Sequence, residues 1–422
     1  MNILVYEDKQ VQLLHPVTTG RAAYAIQCGG CRLVDWLKRL GGQLCGMVRS
    51  HLRTLQMLDF PEFGALDPNQ PWTLLVNARL APTVQTFEHL RLMIQAPATK
   101  VARVSGTIVA AVVPTSQLGS QTLNLGHSPG DWQQSELDRL ESYFAEFSAE
   151  MLDVPLELIE YPHDIIRIHL ASFNQNLQYL ISEWGFEQRQ DGFFVGADVQ
   201  LPEHLVVDTR PGPVVIDRNV SVGPYSYLRG PVYIGPNSRI IEHSSLKDNV
   251  CIVHTGKIGG EVEASIIDAF TNKQHHGFLG HSILGSWINL GAGTCNSDLK
   301  NTYGEVKMEY SGKRVATGMQ FIGCIVGDYA KSAINTGIFT GKVVGTCSML
   351  YGFVTTNVPS FVNYARSFGQ ITEMPPAVMV STQKRMFQRR NVQQRTCDIQ
   401  LINDMYELTR HERQIAEEPL AL

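Results

Sequence analysis

Cysteine is scarce in this chain. Eight in 422 residues are too few for a disulfide scaffold, so a reducing, cytoplasmic setting is expected. Charge of one sign is also lacking. Thirty-five basic against 40 acidic side chains leave a net charge of −5, which gives no positive field to recruit nucleic acid. There is no run of about 18 apolar residues, so no membrane span is expected. The opening stretch MNILVYEDKQ has no basic segment followed by an apolar one, so no secretion signal is read. Neither a Walker-type phosphate loop nor a G-x-G-x-x-G turn occurs. What remains is an ordinary globular composition, 44% hydrophobic and 18% charged, long enough for two or three domains.

What is present is a six-residue beat. Ile216, Val222, Leu228, Ile234, Ile240, Leu246, Ile252 and Ile258 are all aliphatic and evenly spaced. Small or β-branched residues sit two positions ahead of most of them, as at Val214, Val220, Ser226 and Val232. A helix repeats every 3.6 residues and a strand every 2, so neither accounts for the beat. A parallel β-helix does: three short strands make one triangular coil, and each six-residue face turns one aliphatic side chain inward. The beat fails after Ile258, resumes at Leu284 and Leu290, and is lost again through 295–320. It returns at Val326, Ser332, Ile338, Val344 and Leu350. Breaks in such a repeat are expected to be loops that leave the coil.

Ahead of the beat, strands are expected at 2–6, 72–76 and 106–113. Helices are expected at 32–40, stopped by Gly41-Gly42, at about 132–151 after Asp131, and at 164–184. Strands alternating with helices imply an α/β layer arrangement. The Gly-, Pro- and Asp-rich stretch 192–212 marks a boundary. The chain thus divides into an α/β domain (1–200), a β-helix (201–365) and a helical arm (366–422). The arm carries a packing stripe of Met386, Val392, Ile399, Ile402, Met405, Tyr406 and Leu408, and is expected to close the end of the coil.

Three constellations carry chemistry. The first break contains Asn272-Lys273-Gln274-His275-His276-Gly277-Phe278-Leu279-Gly280-His281. Imidazoles suit proton abstraction near neutrality. The second is Asn289-Leu290-Gly291-Ala292-Gly293-Thr294, followed by Asn296, Asp298, Lys300, Asn301 and Tyr303. Its glycines admit close backbone approach and its polar side chains suit hydroxyl or phosphate oxygens. The third is Leu14-His15-Pro16-Val17-Thr18-Thr19-Gly20-Arg21, directly after the first strand, where an open α/β sheet binds ligands. Cys28-Gly-Gly-Cys31 has no second cysteine pair to complete a zinc site, and helix packing explains it equally well.

At these residues the chain resembles the bifunctional enzymes of N-acetylglucosamine 1-phosphate metabolism, which join a nucleotidyltransferase domain to a left-handed parallel β-helix acetyltransferase. It is closer to an alternative bacterial branch of sugar nucleotidyltransferases. Leu14–Ala22, Asn77-Ala78-Arg79-Leu80, Tyr161-Pro162-His163-Asp164, Lys273–Ser282 and Asp298–Gly304 resemble that branch's motifs. The fold so implied is a nucleotidyltransferase-like (Rossmann-like) α/β domain, a left-handed β-helix of hexapeptide repeats and a helical arm, in a homotrimer.

The resemblance implies acetyl-CoA-dependent N-acetylation of an amino-sugar 1-phosphate at the β-helix. There the base falls on His275, with His276 in reserve, and Lys273, Asn289, Asn301 and Tyr303 contact the sugar phosphate. Acyl-CoA contacts are implied near Thr317, Ala333, Lys342 and Arg366. In the first domain it implies Mg²⁺-assisted attack of a sugar 1-phosphate on an NTP, with Thr18, Arg21 and Asn77 at the nucleotide and Asp8, Asn77 and Asp164 at the metal. Small molecules are the expected partners, with no nucleic acid and no membrane. Ala22 stands where the branch has Pro, His163 where it has Trp, and Asn77 where the better-known branch has a metal-binding Asp; an amide holds Mg²⁺ less well than a carboxylate. Two alternatives stay open. In one the β-helix alone is catalytic and the first domain only binds a nucleotide. In the other, histidines of a β-helix trimer hold zinc, as in carbonic-anhydrase-type proteins.

Overall fold

The computed structural model describes residues 1–118 and 150–415. The first domain is a six-stranded sheet. Its strands are β1 (Asn2–Tyr6), β2 (Gln43–Met47), β3 (Trp72–Asn77), β4 (Lys100–Val104), β5 (Thr107–Pro114) and β6 (Glu150–Leu152), in the order β2-β1-β3-β5-β4-β6. β1 pairs in parallel with β2 and β3, and β5 runs antiparallel to β3 and β4. Among the described residues, four helices accompany the sheet: α1 (Leu33–Arg39), α2 (Arg53–Asp59), α3 (Val84–Gln95) and α4 (Pro162–Trp184). Helix α4 begins on Pro162, whose missing N–H costs nothing there, and Asp164 accepts from the backbone N–H of Tyr161 at 2.8 Å. It stops at Gly185, with φ 65°. Of the helix expected at 132–151, residues 132–149 lie outside the described residues. Glu150 and Met151 belong to β6, an edge strand recruited by β4.

The beat is a parallel β-helix. Val214 to Ile216 pairs with Val232 to Ile234, and that with Val250 to Ile252, so one coil is eighteen residues, or three six-residue faces. The eight aliphatic positions fall on the three faces in turn and point inward; all but Val222 are at most 1% exposed. The stack begins earlier than the beat, because Phe193–Val195 pairs beneath Val214–Ile216.

The first break is not a loop. The coil continues through it with two shortened turns: Ile252 pairs with Ile267, fifteen residues on, and Ile267 with Leu284, seventeen on. Loss of one to three residues per turn shifts the phase of the inward positions to Val262, Ile267, Lys273 and Leu279, and a strict six-residue count misses them. The second break is a true excursion, since Leu284 next pairs with Val326. It carries an antiparallel hairpin, Lys307–Tyr310 against Lys313–Ala316.

The arm closes the end of the coil, but with a strand rather than a helix: the exposed edge of the last coil strand, Val362–Ala365, is covered by the arm's Gln370–Glu373. The arm's helices, α5 (Pro376–Arg389), α6 (Thr396–Leu408) and α7 (Arg410–Ile415), run along the coil's flank to the first domain. Phe387 packs on Trp287 at 4.4 Å between ring centroids, and Gln383 donates to the hydroxyl of Tyr329. Leu401 and Met405 press on Gly20. One apolar core therefore joins Ile3, Leu14 and Val76 of the first domain to Met308 of the hairpin and Met379 and Met405 of the arm. A second core fills the coil.

Candidate functional site

Lys273 occupies an inward column of the coil. It stacks directly on Ile258, which stacks on Ile240, so its stem lies among apolar side chains. Lys273 is 2% exposed, and its ammonium donates to the carbonyls of Gly259 and His275, each at 2.8 Å. Burial pushes its pKa down to about 8. The His275–Gly277 turn thus hangs at a corner of the coil, tied underneath by a buried cation. His275 and His276 are exposed there, and their rings make no hydrogen bond among the described residues.

Phe278–Gly280 leads from that corner along the next face to His281. His281 Nδ1 lies 2.8 Å from Asp298 Oδ2, and its ring stacks on Phe321. Asn296 holds both the N–H and the carbonyl of Gly280, at 2.9 and 3.0 Å. Asn289 faces outward from the coil beside Asn272. Asn301 and Tyr303 stand exposed on the excursion. The sequence contains both members of the His281–Asp298 pair, but no local spacing announces their contact.

The four acyl-CoA candidates are spread out. Thr317 is buried, donating to the carbonyl of Val306. Ala333 sits at a coil corner, where its carbonyl accepts from Thr336. Lys342 lies on the nine-stranded face, its pKa lowered by desolvation. Arg366 follows the last coil strand and borders a cleft of about 790 Å³ that also touches His15, Arg49, Tyr310 and His411.

In the first domain the strand ends at the C-terminal edge are occupied by ion pairs. Asp8 receives both Nε and Nη2 of the buried Arg79, at 2.8 and 2.6 Å, and also the amide of Asn77 at 2.8 Å. Asp164 caps α4 and pairs with Arg167. Asp8 and Asn77 are thus brought together, and Asp164 is engaged elsewhere. Among the described residues, no three His, Cys, Asp or Glu side chains converge as a metal site. As arranged, this donor set does not fit Mg²⁺: its one shared carboxylate is already neutralised by a guanidinium.

Thr18 turns inward, its hydroxyl donating to the carbonyl of Val11 at 3.1 Å. The loop after β1 is held by Arg49, which sequence reasoning missed. Arg49 pairs with the fully buried Glu7 and donates to the carbonyls of Thr18 and Arg21. Next to it, burial first and then the Arg49 charge push the pKa of His15 down to about 3. Arg21 points away from the sheet. Its guanidinium pairs with Asp268 and Asp328 at two coil corners and donates to Ser286 Oγ at 3.1 Å. A cleft of about 870 Å³ lies alongside, between Tyr24 and Phe60 of the first domain and Trp287 and Phe387 of the coil and arm. From the excursion, Tyr310 reaches into the first domain, its hydroxyl 2.9 Å from His163 Nδ1 with the rings stacked. Cys28 and Cys31 are buried, their backbones pair across a two-glycine turn, the Cys28 thiol donates to the carbonyl of Ile165 at 3.4 Å, and burial raises both pKa values.

Residues 3–183 match the family model for sugar nucleotidyl transferases. The bifunctional sugar-1-phosphate nucleotidylyltransferase/acetyltransferase of Sulfurisphaera tokodaii is 32% identical over 148 residues, which cover 35% of this chain and 37% of that protein. The bifunctional protein GlmU of Methanococcus vannielii is 29% identical over 129 residues, 31% of this chain and 27% of that one. The chain therefore spans little more than a third of the length of these relatives at most. The polySia-specific acetyltransferase NeuO aligns over 48% of this chain and 99% of its own, at 17% identity and a TM-score of 0.26. The β-helix stands on its own strand pairing rather than on that overlap. The family resemblance is borne out; the zinc-trimer alternative finds no support among these proteins.

Proposed function

We propose that this chain, a member of the GlmU-like family, is a transferase of sugar-nucleotide synthesis. In this reading the β-helix transfers an acetyl group from acetyl-CoA to the amine of an amino-sugar 1-phosphate. The first domain (1–200) couples a sugar 1-phosphate to an NTP; residues 201–365 carry the acyl site, and 366–422 form the arm. By resemblance His275 takes the amine proton, with His276 in reserve, and Asn289, Asn301 and Tyr303 serve the sugar phosphate. Thr317, Ala333, Lys342 and Arg366 serve acetyl-CoA in a trimer. Arg21, Thr18 and Asn77 serve the nucleotide.

The observation that carries the acyl half is the unbroken coil through residues 252–284, which gives the His275 corner a rigid base. Lys273 in that corner acts through its stem and its two carbonyl contacts, so its part is to shape the turn. The nucleotidyl half rests on the family match of residues 3–183. The Mg²⁺ expected at Asp8, Asn77 and Asp164 is not part of that half, because Asp8 is engaged by Arg79.

A second reading, in which only the β-helix is catalytic, is favoured by one observation: Arg21, the phosphate-binding candidate, is committed to Asp268 and Asp328. Two assays on the full chain separate the readings. Thiol release from acetyl-CoA with a panel of amino-sugar 1-phosphates tests the first activity; pyrophosphate exchange with each NTP tests the second. Thiol release without exchange leaves the second reading. Neither activity with any pair rejects both.

A further inference from the structure

A phosphate on the acyl acceptor calls for a cation, and this inference rests on the acyl-transfer reading. Lys273 does not supply it, because its ammonium is buried on the carbonyls of Gly259 and His275. Asn289, Asn301 and Tyr303 offer neutral donors only. The charge has to come from other groups beside the His275 turn.

The outward column of the same coil face carries it. The strand register stacks Arg239 on Lys257 and Lys257 on Asn272, and Asn289 follows on the next rung. Rungs of such a stack lie about 4.8 Å apart, which puts Lys257 one rung from Asn272 and two from Asn289. Asn272 Nδ2 donates to Asn289 Oδ1 at 3.4 Å. From the arm, Arg390 Nη2 donates to Asn272 Oδ1 at 2.6 Å, and Arg389 precedes it at the end of α5. On the far side of Asn289, Lys331 turns its ammonium to the carbonyl of Tyr329.

Arg239 and Arg389 are exposed, while Lys257 and Arg390 are half-buried. These cations press on one another. Desolvation first, and then the charges of Arg390, Arg389 and Arg239, push the pKa of Lys257 down. Desolvation and then Arg389 do the same to Arg390. The dipole at the end of α5 favours a cation there, but it does not account for coil cations gathered against it. In a chain of net charge −5, the patch is a local reversal of sign. A dianion seated on it replaces repulsion by attraction. In a 2-amino sugar 1-phosphate the amine and the phosphate stand on adjacent ring carbons. Asn272 precedes His275 by three residues, on the order of 10 Å of extended chain at most, so a phosphate at Asn272 leaves the amine near the His275 turn.

We propose that Lys257 of the coil and Arg390 of the arm hold the acceptor's phosphate beside Asn272 and Asn289, with Arg239 and Arg389 adding to the positive field. The arm thereby completes the acyl site, and the acceptors it selects carry a phosphate close to the amine.

The test is thiol release by the full chain with acetyl-CoA and the best amino-sugar 1-phosphate, comparing wild type with Lys257→Gln and Arg390→Gln. Each variant is expected to raise the acceptor KM about tenfold or more, with a smaller change in kcat and with the KM for acetyl-CoA within about twofold. Inorganic phosphate should compete with the acceptor in the wild type, and at least about tenfold more weakly in the variants. CoA also carries phosphates. A rise confined to the KM for acetyl-CoA would place those on the patch and overturn the assignment. Unchanged KM for both substrates overturns it as well and leaves the acyl-transfer reading standing. If the wild type releases no thiol with any acceptor, reading and proposal fall together. Loss of one of several mutually repelling cations should not lower the thermal transition in phosphate-free buffer. Should Arg390→Gln nevertheless lose cooperative unfolding, Lys257→Gln decides: a raised acceptor KM supports the subsite, and an unchanged one rejects it.

Discussion

Arg21, in the loop after the first strand, closes on Asp328, 307 residues further along the chain. It bridges in the same grip to Asp268. The two carboxylates belong to coil corners and the guanidinium to the α/β domain, so the contact fastens one domain to the other.

Arg21→Ala should therefore destabilise the whole molecule. It leaves two largely buried carboxylates facing each other without a cation, and breaking one side of such a pair costs about 3–5 kcal/mol. Urea unfolding followed by fluorescence is expected to show a lower midpoint, or a separate early transition for the first domain. An unfolding free energy within about 0.5 kcal/mol of wild type would mean the grip contributes nothing.

Lys273 predicts a pH dependence of known sign. Its folded pKa is about 8 against an ordinary 10.5. Between those values the unfolded chain binds the extra proton, so stability contributed at this position rises with pH, and the cost of the buried ammonium is in full force below about pH 8. Lys273→Met keeps the stem and removes the titration. From pH 8 to 9.5 the wild type should gain about 1–2 kcal/mol relative to the variant. Lys331, also pushed down to about 8, is common to both proteins and cancels. A flat difference between the two proteins would contradict the burial argument.

Tyr310 separates packing from hydrogen bonding at the junction of excursion and first domain. Tyr310→Phe removes the bond to His163 Nδ1 and should cost about 0.5–1.5 kcal/mol. Tyr310→Ala also empties the slot between His163 and Tyr161, at about 3–5 kcal/mol. Equal losses from the two, measured by denaturant unfolding, would show that the hydroxyl alone matters.

Gly280→Ala should damage activity more than stability. The added methyl meets Asp298 and Phe278, and crowding of this kind costs about 1–3 kcal/mol. Since Phe278–Gly280 leads straight out of the His275 turn, thiol release is expected to fall about tenfold or more while the thermal transition stays cooperative. Full activity in Gly280→Ala would show that the turn tolerates the crowding.

Much of the architecture was legible from Ile216 to Ile258, because an inward side chain every six residues is a local property of consecutive faces. Legibility ended where a turn lost residues: Val262 and Ile267 are inward, but they fall out of step with Ile258, so a continuous coil reads as a gap. Lys273 was misjudged for a related reason. Its neighbours Asn272, Gln274 and His275 are polar, and nothing nearby shows that its own position continues the column of Ile258. The site residues were harder still. Arg21 and Asp328, Tyr310 and His163, and His281 and Asp298 are joined only by the fold, and spacing along the chain carries no trace of such partners.

Gly20 is packed under Met405 and Leu401, so the first domain's apolar interior is completed by a helix near the far end of the chain. During synthesis at about 5–20 residues per second, roughly 385 further residues must emerge before that cover arrives, a delay on the order of 20–80 s. Through that interval the nascent α/β layer stands with part of its greasy surface bare, and a ribosome-bound holdase has its opportunity there.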